Sequence, residues 1–451
     1  MSDEIIFFGC WNNGGCDLHS TEPNSLTTMV KGLNEYLSHI EKKPQSLIVA
    51  GDNYYPQKNK YKNKDKTKNE TKDEKPQKIF KTKEISSGFN CLQEIDIEKK
   101  YILLGNHDLE KTIEENNEKD CNAIIYQKYL SDNKSFNFFN FNLDSPRELE
   151  MIRISSNTVI IMFDSSIYEK KPEIYLDCYN ILRSEETKFE SIDDIKQLQI
   201  NQRDNTIEKL KKSEYSNVTN IVFACHHPLF FLKTKKSNCI FEYSENIINF
   251  LLPFNKLKKK FIYLCADLHL FQRSVILIGG IEEQKMKLEH IVIGTGGAEL
   301  DDDCDYSSLT DIMNEENLKE DSKIHFLDFK FSEIEHLNND KNKQLISLKN
   351  NGFLHCKFSK NKIKMKFVIT SSPSSSSLKA LSLSPLSSIS TSSLLKLKAP
   401  PPSRKSSQKI KRRHSIGGNK NIKKTKNYNN RTKKIISKKN ITNYSFEELF
   451  L

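Results

Sequence analysis

The stretch LIVAGDNYY, residues 47–55, is the strongest indication of the fold in this sequence. Its apolar first half predicts a strand covered on both faces, and Gly51 and Asp52 follow directly after it. Apolar runs at 5–8, 101–104, 221–223 and 261–264 are also followed by chemically active residues: Gly9-Cys10-Trp11-Asn12, Gly105-Asn106-His107-Asp108, Cys225-His226-His227-Pro228 and Cys265-Ala266-Asp267-Leu268-His269. Because open α/β sheets place their sites at the carboxyl ends of strands, these tips predict one shared site.

Amphipathic segments lie between the predicted strands. After a predicted cap at Asn24, apolar residues recur at helical spacing from Leu26 to Ile40. A second segment, with apolar residues from Ile195 to Leu210, follows a predicted cap at Asp193. This alternation of strands and helices predicts a layered α/β domain.

Charge divides the chain of 451 residues into two parts. Residues 371–451 contain 18 Lys and Arg against two Asp and Glu, a net charge of +16, which leaves −5 for residues 1–370. We therefore expect a folded domain at 1–370, with a charged insertion loop at 57–78, a Ser-rich linker at 371–398 and a disordered basic tail at 399–451.

Neither a run of apolar residues long enough to span a bilayer nor an export signal is recognisable in the sequence. The ten cysteines do not form a compact disulfide framework, so we expect reduced thiols and an intracellular protein, cytoplasmic or nuclear.

The residue types at the strand tips suit a centre that holds two metal ions. Two cations held ~3.5 to 4 Å apart need a bridging carboxylate with imidazole and oxygen ligands around it. Asp52 is the expected bridge, Asn106 offers an amide oxygen, and Tyr55 offers a phenolate to a hard trivalent ion. His226 and His269 offer imidazole nitrogens. Such a centre activates water and stabilises the charge of a phosphoryl group.

The ordered set resembles the calcineurin-like metallophosphoesterase superfamily, and within it the purple acid phosphatase type. The resemblance covers residues 5–367, and these motifs carry it: Gly51-Asp52-Asn53-Tyr54-Tyr55, Gly105-Asn106-His107, Cys225-His226-His227-Pro228, Cys265-Ala266-Asp267-Leu268-His269-Leu270-Phe271-Gln272 and the turn Gly294-Thr295-Gly296-Gly297.

By this resemblance the domain is a four-layer α/β/β/α sandwich that hydrolyses a phosphate ester by in-line attack of a metal-bound water or hydroxide. Two metal ions, of Fe, Zn or Mn, are implied as cofactors. The resemblance assigns Cys10, Asp52, Tyr55 and His269 to one metal, and Asp52, Asn106, His226 and Asp267 to the other. It makes His107 the general acid, oriented by Asp108, and gives substrate binding to His227.

Two positions depart from the family pattern. Cys10 stands where the family has Asp, and Asp267 stands where it has the first His of its last motif; Asn12 also replaces a His of many members. Thiolate and carboxylate are both metal ligands, so a centre of altered character is one reading, with Tyr55 favouring iron and Cys10 favouring zinc or iron. The alternative is a catalytically inactive scaffold or binding protein with the same fold, in which Cys10 is a buried core thiol.

The basic tail has its own predicted partner. Lys409-Ile410-Lys411-Arg412-Arg413 and later Lys pairs form an extended cationic segment that suits the phosphates of nucleic acid or another acidic partner. Such runs are also typical of solvated, self-repelling tails, and both readings stay open here.

Overall fold

The computed structural model describes residues 3–58, 78–113, 119–134, 136–138, 147–235, 238–279, 285–302, 323–326, 345–348, 350–359, 363–370 and 379–383. The chain divides into two units, residues 1–385 and 386–451, and every described residue lies in the first. Most of the predicted insertion loop and the whole basic tail lie outside the described residues, so the tail's partner remains a prediction.

The described part of the chain contains six α-helices and twenty-one strands, besides short 3₁₀ turns. The helices are α1 Ser25–His39, α2 Thr82–Gln93, α3 Asn122–Lys134, α4 Leu176–Asn180, α5 Ile192–Leu210 and α6 Glu245–Leu251. The strands are β1 Glu4–Phe8, β2 Ser46–Ala50, β3 Gln57–Lys58, β4 Lys78–Ile79, β5 Lys99–Leu103, β6 Thr112–Ile113, β7 Lys119–Asp120, β8 Asn137–Phe138, β9 Glu150–Ser155, β10 Thr158–Met162, β11 Asn220–Ala224, β12 Phe230–Lys235, β13 Asn238–Tyr243, β14 Lys260–Cys265, β15 Phe271–Ile278, β16 Met286–Ile293, β17 Ile324–Phe326, β18 Leu345–Leu348, β19 Gly352–Phe358, β20 Ile363–Ile369 and β21 Lys379–Leu383.

Two large mixed sheets carry the predicted strand tips. The first has the order β21-β20-β19-β1-β2-β5-β8, in which β1, β2, β5 and β8 are parallel. The second has the order β17-β15-β16-β14-β11-β10-β9, in which β10, β11, β14 and β16 are parallel and β18 pairs with β15. Parallel strands end at one edge of their sheet, so each sheet gathers its polar tips there.

Side-chain alternation along the central strands separates the layers. In β10, Ile160 and Met162 belong to the core shared with β1, β2 and α1, whereas Val159 and Ile161 pack into the core that contains α5 and α6 residues. A strand covered on both faces must be apolar at every position, which explains the continuous runs in the sequence. The predicted four-layer α/β/β/α sandwich is confirmed.

Helix starts follow the local capping rules. The Asn24 side chain accepts a hydrogen bond from the backbone N–H of Thr27 at 2.8 Å, as predicted for the start of α1. The cap of α5 is Ser191 and not Asp193, because Ser191 and Asp194 form a reciprocal capping box. The predicted helix therefore begins two residues earlier than the apolar pattern indicated.

Two short segments add pairing that the sequence did not predict. The ends of the charged insertion pair as β3 and β4, with Gln57 opposite Ile79. Lys379–Leu383, inside the predicted Ser-rich linker, form the edge strand β21 against β20.

Of the helices in the described residues, none has both the length and the apolar character needed to cross a membrane.

The expectation of reduced thiols is wrong for at least four cysteines. Cys16 bonds to Cys91, and Cys121 bonds to Cys178, although each pair is far apart in sequence. The first bond joins the segment after β1 to α2, and the second joins the start of α3 to α4, so only the packing of these elements brings the sulfurs together. Because disulfides persist in oxidising compartments, the thiol argument for an intracellular location no longer holds, and the compartment stays a prediction.

Replacing Cys91 or Cys178 by Ser should lower the free energy of unfolding by about 2–5 kcal/mol, because each cross-link restricts the unfolded chain. Urea or thermal unfolding of each variant measures the change. Cys356→Ala, at a buried cysteine without a disulfide, is the matched control and should cost less. Alkylation of all four paired cysteines in denaturant without reductant would show that the bonds do not form.

Candidate metal centre

Three of the predicted site residues lie at sharp turns of the backbone. Cys10, Asp52 and Asp267 have φ angles of 53°, 51° and 57°. They lie two residues beyond the last residue of β1, β2 and β14, respectively. Left-handed backbone is strained for residues other than glycine, and such strain is concentrated at functional sites. The turns end the strands abruptly and place three side chains at the same edge of the sandwich.

Glycines allow the tips to approach each other closely. A Cβ at Gly9 would lie 2.5 Å from the Cβ of Ala266, so the tip of β1 in one sheet touches the tip of β14 in the other. A Cβ at Gly105 would lie 2.4 Å from Oδ1 of Asp52, which joins the tips of β5 and β2. Both distances are far shorter than side-chain contacts permit, so the convergence requires glycine at these positions.

One group of ligand atoms surrounds Oδ2 of Asp52. The Tyr55 hydroxyl donates to this oxygen at 3.0 Å and also lies 2.9 Å from Nε2 of His269. The Cys10 thiol donates to the same oxygen at 3.9 Å. Ligand atoms of Cys10, Asp52 and His269 all lie within 4.8 Å of one another.

A second group surrounds Nε2 of His226. This nitrogen lies 3.3 Å from Oδ1 of Asp52, 3.1 Å from Oδ1 of Asn106 and 3.7 Å from Oδ1 of Asp267. The two oxygens of Asp52 thus face two different sets of side chains. That is the arrangement of a carboxylate able to bridge two cations.

Backbone carbonyls fix the orientation of both imidazoles. Nδ1 of His226 donates to the carbonyl oxygen of Ala50 at 2.6 Å, and Nδ1 of His269 donates to that of Glu299 at 2.7 Å. Hydrogen bonding of the other ring nitrogen is the usual way in which metal-binding histidines are oriented. In each neutral ring Nε2 is therefore left as a lone-pair donor that faces the centre.

Most atoms that face each other in the two groups are hydrogen-bond acceptors. Their mutual repulsion is the feature that a bound cation would relieve. In the neutral ring, Nε2 of His226 faces three oxygens without a proton between them, and the single proton of Tyr55 serves only Asp52 or His269. A second proton on His226 or a metal cation removes this repulsion. The residues present fit two cations, since the donor set holds carboxylate, imidazole, amide, phenol and thiol groups.

The pKa values of the buried groups also favour a bound cation. Burial alone raises the pKa of Asp52, but the neighbouring His226, His107 and His269 outweigh it and hold that pKa below its usual range. Burial lowers the pKa of His226, yet the Asp52 carboxylate raises it to about 10. For Cys10, burial and the charges of Asp52 and Asp267 raise the thiol pKa well above its usual range, so a cation is needed to stabilise the thiolate.

His107 lies beside the centre, but its partner differs from the expected one. Its Nδ1 lies 3.2 Å from Glu110, its backbone N–H donates to Asp52 at 3.1 Å, and its ring centroid is 4.9 Å from that of Tyr55. The buried Asp108 carboxylate instead accepts hydrogen bonds from the backbone of Gly105 and Asn53. The Asp108 oxygens therefore face the backbone of the loops, and the orienting role predicted for Asp108 stays a prediction.

Sequence reasoning missed the residues that hold the loops together. The Asn53 side chain donates to Asp108 and accepts from the Trp11 indole N–H at 2.9 Å, and Gln127 of α3 also donates to Asp108. Burial and the Asp52 charge raise the pKa of Asp108 to about 7, against these hydrogen bonds. Adjacency to Asp52 and Cys10 is a signal that could have marked Asn53 and Trp11, whereas no sequence signal marks Gln127.

Two other expectations concern His227 and Asn12. The imidazole of His227 lies 3.1 Å from the Ser165 hydroxyl through Nδ1, and its Nε2 lies beside the Glu169 carboxylate. Asn12 donates to the carbonyl of Ile85 in α2 at 3.5 Å, which turns it away from the centre. The structure brings seven of the predicted site residues close together: Cys10, Asp52, Tyr55, Asn106, His226, Asp267 and His269. Their roles as metal ligands remain proposals.

Two solved structures match the chain, each at 11% sequence identity: one described as GAP50, the anchor in the inner membrane complex of Plasmodium, and one as PhoD. The first has a TM-score of 0.41 and the match covers 84% of this chain and 88% of that one; the second has 0.43, with 84% and 68%. No curated protein sequence matches the chain.

A family model matches residues 16–271, more than half of the chain. Its description is calcineurin-like phosphoesterase, and its range contains all the proposed ligands except Cys10. The chain belongs to the calcineurin-like phosphoesterase family.

Proposed function

We propose that this chain is a metal-dependent phosphoesterase that hydrolyses a phosphate ester by in-line displacement with water. Membership of the family supports phosphoester hydrolysis in general. The observation that carries the proposal for this chain is the Asp52 carboxylate, whose two oxygens face separate sets of ligand atoms.

Cys10, Tyr55 and His269 would hold one cation with Asp52, and Asn106, His226 and Asp267 would hold the other. When bound, two such cations neutralise charge on the phosphoryl group and lower the pKa of a coordinated water. The protein fixes the ligands in advance, through the Ala50 and Glu299 carbonyls and the Asp108 hydrogen bonds.

His107 is the proposed general acid. Its imidazole is partly exposed, with 30% of its side-chain surface accessible, at the edge of the ligand groups. The Glu110 carboxylate lies 3.2 Å from Nδ1, and Nε2 is the nitrogen that would give a proton to the leaving oxygen of the ester. We assign to Glu110 the positioning role that the family resemblance gave to Asp108, because its carboxylate lies beside the imidazole of His107.

The second candidate function is a binding scaffold without turnover. The observation that favours it is Cys10, a fully buried thiol whose pKa is raised by burial, at a position where the family pattern has a carboxylate. In that case the cation on this side would be weakly held or absent, and the fold would serve recognition alone.

Asp52→Asn should abolish hydrolysis of p-nitrophenyl phosphate and lower the metal content, because an amide cannot bridge two cations. Assays with Fe, Zn and Mn, together with elemental analysis of protein purified without chelators, measure both. Asp177→Asn, an exposed carboxylate with 67% of its side chain accessible, is the control and should match the original protein. Inactivity of the unaltered chain with every metal would favour the scaffold.

His107→Gln should lower kcat by about 10²- to 10⁴-fold for alkyl phosphates, which have poor leaving groups. The loss should be much smaller for p-nitrophenyl phosphate, since p-nitrophenolate leaves without a proton. Glu110→Gln should show the same dependence on the leaving group with a smaller loss. Equal losses for both substrates would contradict the proposed role of His107.

Cys10 can be tested through its sulfur. Protein loaded with Co²⁺ should show a thiolate-to-cobalt charge-transfer band in the near ultraviolet, and Cys10→Ser should lose it. Cys356→Ser, at a buried thiol outside the centre, should keep the band. If the band is missing from the unaltered protein while cobalt is bound, Cys10 is not a ligand.

A further inference from the structure

We propose that a cavity beside the candidate metal centre binds the alcohol part of the substrate and selects phosphomonoesters of uncharged, aryl-sized alcohols over polyphosphates. This inference rests on the proposed function, because it names the substrate class of the same site. The cavity has a volume of about 430 Å³, and Asp267 and His227 contribute to its wall. A group bound there is therefore next to the proposed phosphoryl position.

The size of the cavity indicates more than a phosphate. Small-molecule sites are typically ~300 to 1,000 Å³, and this volume suits a ring-sized group. Its apolar wall is formed by Tyr168, Pro228, Phe231, Tyr243 and Ile247. Flat aromatic and aliphatic surfaces of this kind favour a ring over a sugar phosphate, because burial of apolar surface supplies the binding energy.

Charges on the wall oppose a second phosphate. Among the described residues that line the cavity, Lys170 is the one Lys or Arg, and its Nζ lies 2.7 Å from Glu242. Glu169 is engaged with His227 and with the Tyr175 hydroxyl, and Glu245 begins α6. Three glutamates against one paired lysine would repel the additional negative charge of a polyphosphate.

The wall is held in place by the surrounding fold. Phe231 and Glu242 face each other across the β12–β13 hairpin, and the backbone N–H of Ser244 donates to the carbonyl of Leu229 at 2.8 Å. The Ser244 side chain caps α6 by accepting from Ile247 at 3.4 Å. The hairpin and helix thus form a pre-shaped wall, which lowers the ordering cost of binding.

Binding of ligands that cannot be hydrolysed tests the cavity separately from turnover. In calorimetry on the metal-loaded protein, phenylphosphonate should bind about tenfold more tightly than methylphosphonate, and methylenebisphosphonate should gain nothing over methylphosphonate. Phe231→Ala should remove the preference for the phenyl group, with Phe231→Leu as a milder variant if the first does not fold.

Charge reversal tests the selection against polyphosphates. Glu242→Lys together with Glu245→Lys should raise kcat/KM for ATP relative to p-nitrophenyl phosphate by about tenfold, less at high salt. Glu186→Lys, an exposed residue outside the cavity, is the matched control and should leave the ratio unchanged.

Equal affinity for the phenyl and methyl ligands, or an ATP ratio that the double substitution does not change, would overturn the inference about the cavity. Retained phenyl preference in a protein without any hydrolysis would support the cavity and remove the proposed catalysis. The two failures are therefore distinguishable.

Discussion

The buried negative charge of Asp52 is the constraint on which the rest of this site depends. A carboxylate with 1% of its surface exposed must be compensated, because an isolated buried charge is very costly. Around it the chain places the Tyr55 hydroxyl, the His107 backbone N–H and the His226 imidazole. These groups stabilise the anion without using all its lone pairs, which leaves the site suited to cations.

Strain at the strand tips and hydrogen bonds behind them are two parts of one arrangement. Cys10, Asp52 and Asp267 adopt left-handed backbone that is unfavourable by itself. The Asn53–Asp108 hydrogen bonds and the Trp11 indole tie the loops after β1, β2 and β5 into one unit. Such a framework holds the side chains of the candidate centre in place, which is the preorganisation that the proposed catalysis would require.

The two halves of the sandwich divide the work of binding. Tips of the first sheet supply Cys10, Asp52 and Asn106, and tips of the second supply His226, Asp267 and His269. The hairpin β12–β13 and helix α6, which follow the His226 loop, form the apolar wall of the adjacent cavity. In the proposed function, the cavity wall and three of the ligands come from neighbouring segments of the second half, so substitutions in the hairpin test recognition while leaving the proposed ligands intact.

The sequence by itself determined the layered α/β class and predicted the members of the candidate site, because fully buried parallel strands read as apolar runs and their carboxyl ends are marked by Gly51-Asp52, Asn106-His107 and His226. Only the tertiary structure decided the partners: Glu110 rather than Asp108 beside His107, Glu169 and Ser165 on His227, and the bonds Cys16–Cys91 and Cys121–Cys178. His107 and Glu110 are only three residues apart, and the conformation of their loop brings them together. The other pairs join elements distant in the chain, and contacts of that kind arise from how helices and loops pack on the sheets, for which local sequence carries no signal.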